Sequence, residues 1–132
     1  MVDPTRLRSL LDRVERDIAR LEAVREHVED PALLDGAKYR LVTAIEGLTG
    51  AARHVIASAG LRGPETYADT FAVLAEAGRL APEIAVVGQR MARFRNVLVH
   101  GYAEVDDDQV RTIVAHRLTD LRRLAEALAD QD

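Results

Sequence analysis

Apolar residues recur along this chain in steps of three and four, the spacing of a buried helix face. Leu7, Leu11, Val14, Ile18, Leu21 and Val28 keep that step with one missing beat at Arg25. Asp3 before Pro4 is a helix start: a capping carboxylate, then proline at the first helical position. Asp30 before Pro31 repeats it and opens a second run, Leu34, Ala37, Leu41, Ile45, Leu48, Ala52, Val55 and Ala59, which Gly60 closes. Two long helices with so short a connection pack antiparallel. Gly63-Pro64 makes Leu61 to Glu65 a loop. Tyr67, Phe71 and Leu74 mark a short helix that stops near Gly78. Pro82 opens a fourth helix with the stripe Ile84, Val87, Met91, Phe94 and Leu98, ended by Gly101. Asp106-Asp107-Asp108 begins the last helix, where negative charge complements the helix dipole. Val110, Val114, Leu118, Leu121, Leu124 and Leu128 form its apolar face. No strand alternation or internal repeat interrupts the pattern. It predicts an all-α, up-and-down bundle of four long helices plus one short helix, a single domain over residues 1–132. The narrow, heptad-like stripes fit helices meeting along a seam, which often also pair with a second copy.

Composition narrows the function classes. Cysteine is absent, which excludes disulfides, thiolate catalysis and cysteine-based zinc sites. No apolar run has the length of a membrane span, and Met1 to Arg8 is too polar for a signal peptide, so a cytoplasmic protein is expected. The net charge of -4 argues against a protein that coats duplex DNA, but leaves room for a small nucleic-acid cleft. Lys38 is the sole lysine. Arginine is the better fork for phosphate, although such a bias follows as readily from genome composition.

The candidate chemistry lies on the fourth helix. With Phe94 at zero on an ideal helix, Gln89, Arg93, Asn96 and His100 fall on nearly the opposite side, with Arg90 at the edge. Arg95 precedes His100 by five residues, about 140° round, whereas Arg93 aligns better at seven. The wheel therefore leaves two candidate arginines. Both Arg95 and His100 lie off the apolar stripe, so alanine at either is expected to cost little packing. Histidine, arginine and asparagine together suit metal-free cleavage of RNA. An imidazole exchanges protons near neutral pH, a guanidinium neutralises phosphate charge, and an amide orients either. The plainer reading is a last-turn histidine that only meets the helix dipole and its terminal carbonyls.

Met91 to Tyr102, MARFRNVLVHGY, resembles the signature of HEPN-superfamily toxins of the HepT type: an arginine, four to six variable residues, a histidine, one residue, then a tyrosine. Arg95, His100 and Tyr102 match it, with Asn96 in the polar position that follows the arginine. The segment Arg53 to Gly78 and the helix order resemble that family too. The resemblance implies a homodimer in which two motifs face one cleft. It also implies a metal-independent endoribonuclease needing no cofactor, with Arg95, His100 and Asn96 catalytic. The protein would then be the toxin of a type II/VII-like pair. Its partner would be a minimal nucleotidyltransferase (MNT) antitoxin that can transfer AMP to Tyr102. Arg90, Arg93 and Arg53 are then candidates to hold RNA. The alternative is a non-catalytic helical subunit that binds substrate or nucleotide for a nucleotidyltransferase.

Other residues read more blandly. Glu104 and Asp106 to Asp108 are caps and dipole partners rather than a Mg²⁺ site. His54, beside Arg53, belongs to a solvated helix face unless it lines an RNA path. His27 and His116 carry no signal. Tyr39 and Tyr67 are expected to pack, and so is Tyr102 if it is not a modification site.

Overall fold

The computed structural model describes residues 3–101 and 105–131, and its described residues form six α-helices with no strand. They are α1 (Pro4–Val24), α2 (Pro31–Ala59), α3 (Tyr67–Glu76), α4 (Pro82–His100), α5 (Asp107–His116) and α6 (Leu118–Ala129), with a 3₁₀ turn at Arg25–His27. The expected starts hold. Asp3 accepts from the backbone N–H groups of Thr5 and Arg6 at 3.0 and 3.3 Å, and Asp30 from that of Ala32 at 2.9 Å. Asp106 caps α5 by accepting from the N–H of Asp108. Gly60 and Gly78 adopt left-handed φ of 68° and 72°, which glycine takes without steric cost.

Helix α2 is the axis of the bundle: α1, α3, α4, α5 and α6 all pack on it. Its stripe from Leu34 to Val55 is buried, as are Leu7, Leu11, Val14, Ile18 and Leu21 of α1. The final helix departs from expectation. The chain breaks at Arg117, so Asp107–Ala129 is two helices rather than one. No proline or glycine marks the break. Tertiary docking makes it: α5 lies against α2 and the 3₁₀ turn, while α6 lies against α1, α2 and α4.

Helix α4 also departs, and this decides the site. Its buried residues are Ala85, Gly88, Met91, Ala92, Phe94 and Arg95, so the inward face is turned away from the large-residue stripe. Ile84, Val87 and Leu98 are only half-buried. Small residues set the turn, because they allow the closest approach. A Cβ on Gly88 would stand 2.5, 2.7 and 2.9 Å from ring atoms of Phe71, itself fully buried on α3. Gly88→Ala must therefore push α4 off α3 and lower stability by about 1–3 kcal/mol, read as a lower urea midpoint. An unchanged midpoint would mean that the contact is loose.

The connection between α2 and α3 is clamped. Arg62 donates to Asp69 at 2.8 and 2.9 Å and to Glu76 at 3.0 Å through both Nε and Nη2. These bonds, with the N–H of Glu65, hold the Asp69 carboxyl at about 2 and depress Glu76 also. A carboxyl depressed in the folded state stabilises fully above its ordinary range, and that contribution fades as pH falls through the folded value. Acid unfolding should therefore steepen between about pH 4 and pH 2. Asp69→Asn should flatten that part of the curve, and superimposable acid titrations would contradict the clamp.

Candidate active site

Arg95 is 8 % exposed, which corrects the expectation that it lies clear of the core. The turn of α4 brings it inward, where three groups hold its guanidinium. Nη2 donates to Glu46 Oε2 on α2 at 2.7 Å. Nη1 donates to Asn96 Oδ1 at 3.1 Å. The Tyr67 ring at the start of α3 lies beneath it, 4.3 Å from centroid to Cζ. The opposite carboxylate and the ring face both favour the cation. Arg95 Nε is buried with no hydrogen-bond partner among the described residues. Alanine at this position is thus not innocuous, because it removes a part-buried ion pair and a stacked contact.

Tyr67 is more than the packing residue expected. Arg53 stands over the same ring at 4.8 Å, so two guanidinium groups, one on a buried residue and one on an exposed residue, share the ring. Tyr39, also expected to pack, is 62 % exposed. His54 is half-buried rather than solvated, and its Nε2 is enclosed without a partner.

His100 occupies the opposite side of α4. It is exposed in the last turn and bonds to no other described residue. Val86, Arg90, Arg93, Val97 and His100 are all exposed and follow one another at helical spacing, so they form one strip. Val86 and Val97 are large apolar residues left 41 % exposed within it. Asn96 is half-buried and bridges the two sides, being bonded to Arg95 and next to the strip. The structure therefore joins Arg95, Asn96 and, through Tyr67, Arg53. It leaves Arg90, Arg93 and His100 on the outer face, and Tyr102 falls outside the described residues. Among the described residues no group of three or more acidic or histidine side chains is placed to hold a metal ion.

Glu46 was missed in the sequence. It follows the buried Ile45, a half-buried carboxylate on the shoulder of the core stripe with no local cation to explain it. That position was the available signal.

A family described as ribonuclease HepT-like matches residues 7–128. A putative RNase of Archaeoglobus fulgidus is 29% identical over 104 residues, 79% of this chain and 78% of that protein. The mRNA nuclease HepT of Shewanella oneidensis is 25% identical over 119 residues, 87% of this chain and 90% of that one. Among solved structures, a tri-AMPylated Shewanella oneidensis HEPN toxin in complex with MNT antitoxin superposes with a TM-score of 0.86 at 24% identity, over 96% of this chain and 97% of that chain. The cytosolic protein YutE of Bacillus subtilis, of unknown function, superposes with a TM-score of 0.80 at 16% identity, over 96% and 88%.

Proposed function

The chain belongs to the HepT-like ribonuclease family, and we propose that it is the toxin of a toxin–antitoxin pair, an endoribonuclease that cuts RNA without a metal ion. The observation that carries this reading is the Arg95 guanidinium, buried and fixed by Glu46, Asn96 and Tyr67 yet keeping one unpartnered N–H. It stands five residues before an exposed histidine. A fixed cation costs no reorganisation when charge builds on a phosphate.

The reaction needs a base, an acid and a cation. A neutral imidazole takes the proton of a ribose 2′-hydroxyl, whose oxygen attacks the adjacent phosphorus. An O2′–P bond forms, the P–O5′ bond breaks, and an imidazolium gives its proton to the departing O5′. The products are a 2′,3′-cyclic phosphate and a 5′-hydroxyl. One His100 cannot begin in both protonation states, so the second is the partner subunit's His100. Arg95 offsets the charge on the phosphoryl oxygens and Asn96 fixes its fork. Glu46 is a positioning residue that orients Arg95 from behind. Arg53, Arg90 and Arg93 hold the RNA on either side.

The exposed strip of α4 supports the dimer this requires. Two exposed valines interleaved with arginines and ending in His100 suit a two-fold contact that buries the valines and places both histidines in one cleft. Pure protein should be dimeric at micromolar concentration by light scattering. No helix of the described residues is long and apolar enough to cross a membrane, and we place the pair in the cytoplasm.

The proposed partner is an MNT antitoxin, as in the complex of the Shewanella toxin, and the proposed acceptor of AMP is Tyr102. The adduct would bring bulk and a negative phosphate to the motif, repelling the RNA phosphate. Expression alone should arrest growth and degrade RNA, while co-expression with the antitoxin should rescue both. Tyr102→Phe should keep much of the cleavage but gain no AMP in intact-mass spectra after co-expression. An adduct on the variant would move the acceptor elsewhere.

A further inference from the structure

Helix α1 carries its charges on two opposite sides. Glu15 and Glu22 face α6, where Arg122 donates to them at 2.8 and 2.7 Å. Arg13, Arg16 and Arg20 face α2, where they line a hollow with Tyr39, Arg40 and Thr43. All three are exposed, and none is paired with a carboxylate of the described residues. The hollow's own acid, Asp17, is 6% exposed and already engaged, by Arg40 at 3.3 Å and the Thr43 hydroxyl at 2.7 Å. A chain of net charge -4 thus gathers three uncompensated cations in one groove.

The groove leads to the active site. Arg13 and Thr43 also line the adjoining hollow, together with Glu46. Glu46 in turn holds Arg95. Tyr39, 62 % exposed with the Arg40 guanidinium 5.4 Å from its ring centroid, lines the first hollow. Cations spaced along a groove with an open aromatic face are what a single strand needs, its phosphates on the arginines and a base on the ring.

We propose that the α1–α2 groove, through Arg13, Arg16, Arg20 and Tyr39, binds single-stranded RNA and guides it to Arg95. This rests on the ribonuclease reading and extends the contact surface well beyond the α4 motif. Charge complementarity selects RNA over an apolar partner segment, because the groove's free charge is positive and its acids are already paired.

The test uses the full-length protein and a fluorescent, fully 2′-O-methylated RNA, which binds but has no free 2′-hydroxyl to cleave. Anisotropy titrations are run across a range of salt concentrations. Arg13→Gln/Arg16→Gln/Arg20→Gln should weaken binding and reduce the slope of log K against log salt by about 2, three phosphates at the single-strand coefficient. Tyr39→Ala should weaken binding about 10-fold. Arg6→Gln/Arg8→Gln/Arg123→Gln, with the same charge loss outside the groove, should keep the wild-type slope. An unchanged slope in the groove variant, beside a wild type that binds and cuts RNA, overturns the groove and leaves the ribonuclease reading standing. If the groove variant keeps its RNA affinity but falls from dimer to monomer, the groove is a contact between copies and the proposal fails. A wild type that neither binds nor cuts RNA removes the ribonuclease reading and the groove with it.

Discussion

His100→Ala is expected to reduce RNA cleavage by about 10²–10⁴-fold, the usual cost of losing a positioned acid or base. Stability should stay within about 0.5 kcal/mol of wild type, since the side chain is exposed and bonds to no other described residue. The contrast is the informative part. A loss of activity with an unmoved urea midpoint assigns the histidine to chemistry. Retained activity would leave it the ordinary last-turn residue that the plainer reading allows. Mixing His100→Ala with wild-type subunits adds a second readout. If each cleavage needs the His100 of both subunits, mixed dimers are inactive, and activity falls faster than the wild-type fraction.

Arg95→Ala is expected to fail twice. Cleavage should drop by at least about 10²-fold, the typical cost of removing one preorganised donor to a developing charge. Stability should also fall by about 1–3 kcal/mol, because a buried, bonded side chain leaves a gap and strands Glu46 and Asn96. Glu46 is partly exposed and can rehydrate, which keeps the figure at the lower end of buried ion pairs. Arg95→Lys retains the charge but not the planar fork that reaches Glu46 and Asn96 together, so it should recover stability better than activity. Arg93→Ala, on the outer strip, should weaken RNA binding a few-fold and leave the midpoint alone. If Arg93→Ala abolishes cleavage and Arg95→Ala spares it, the helical-wheel alignment of Arg93 with His100 identifies the working cation instead.

The difference between those two arginines is set by tertiary packing and not by local sequence. Helix starts were legible because Asp3-Pro4 and Asp30-Pro31 encode them locally, and the interior of α2 because its stripe is long and apolar. The facing of α4 was not. A hydrophobic stripe weights Ile84, Val87 and Leu98 heavily and Gly88 hardly at all, yet Gly88 seats the Phe71 ring and fixes the turn. That turn carries Arg95 inward. Its partners, Glu46 and Tyr67, are 49 and 28 positions away, and nothing local announces such a pairing. The break at Arg117 was hidden for the same reason, since it comes from what α5 and α6 dock against. The motif, by contrast, is written in residue types at short spacing, so Arg95, Asn96, His100 and Tyr102 could be named as candidates from the sequence.

The same limit applies to the groove. Arg13, Arg16 and Arg20 are three charges among many on α1, and nothing local singles them out. Only the placement of α6 on one side of α1 and α2 on the other separates the paired carboxylates from the unpaired arginines.

Metal-free cleavage through a 2′-hydroxyl leaves its mark on the ends of the RNA fragments that the pure wild-type protein makes in EDTA. The fragments should carry 5′-hydroxyl and 2′,3′-cyclic phosphate ends, formed in EDTA as without it. Fragments with 5′-phosphate ends that appear only when Mg²⁺ is restored would contradict this mechanism.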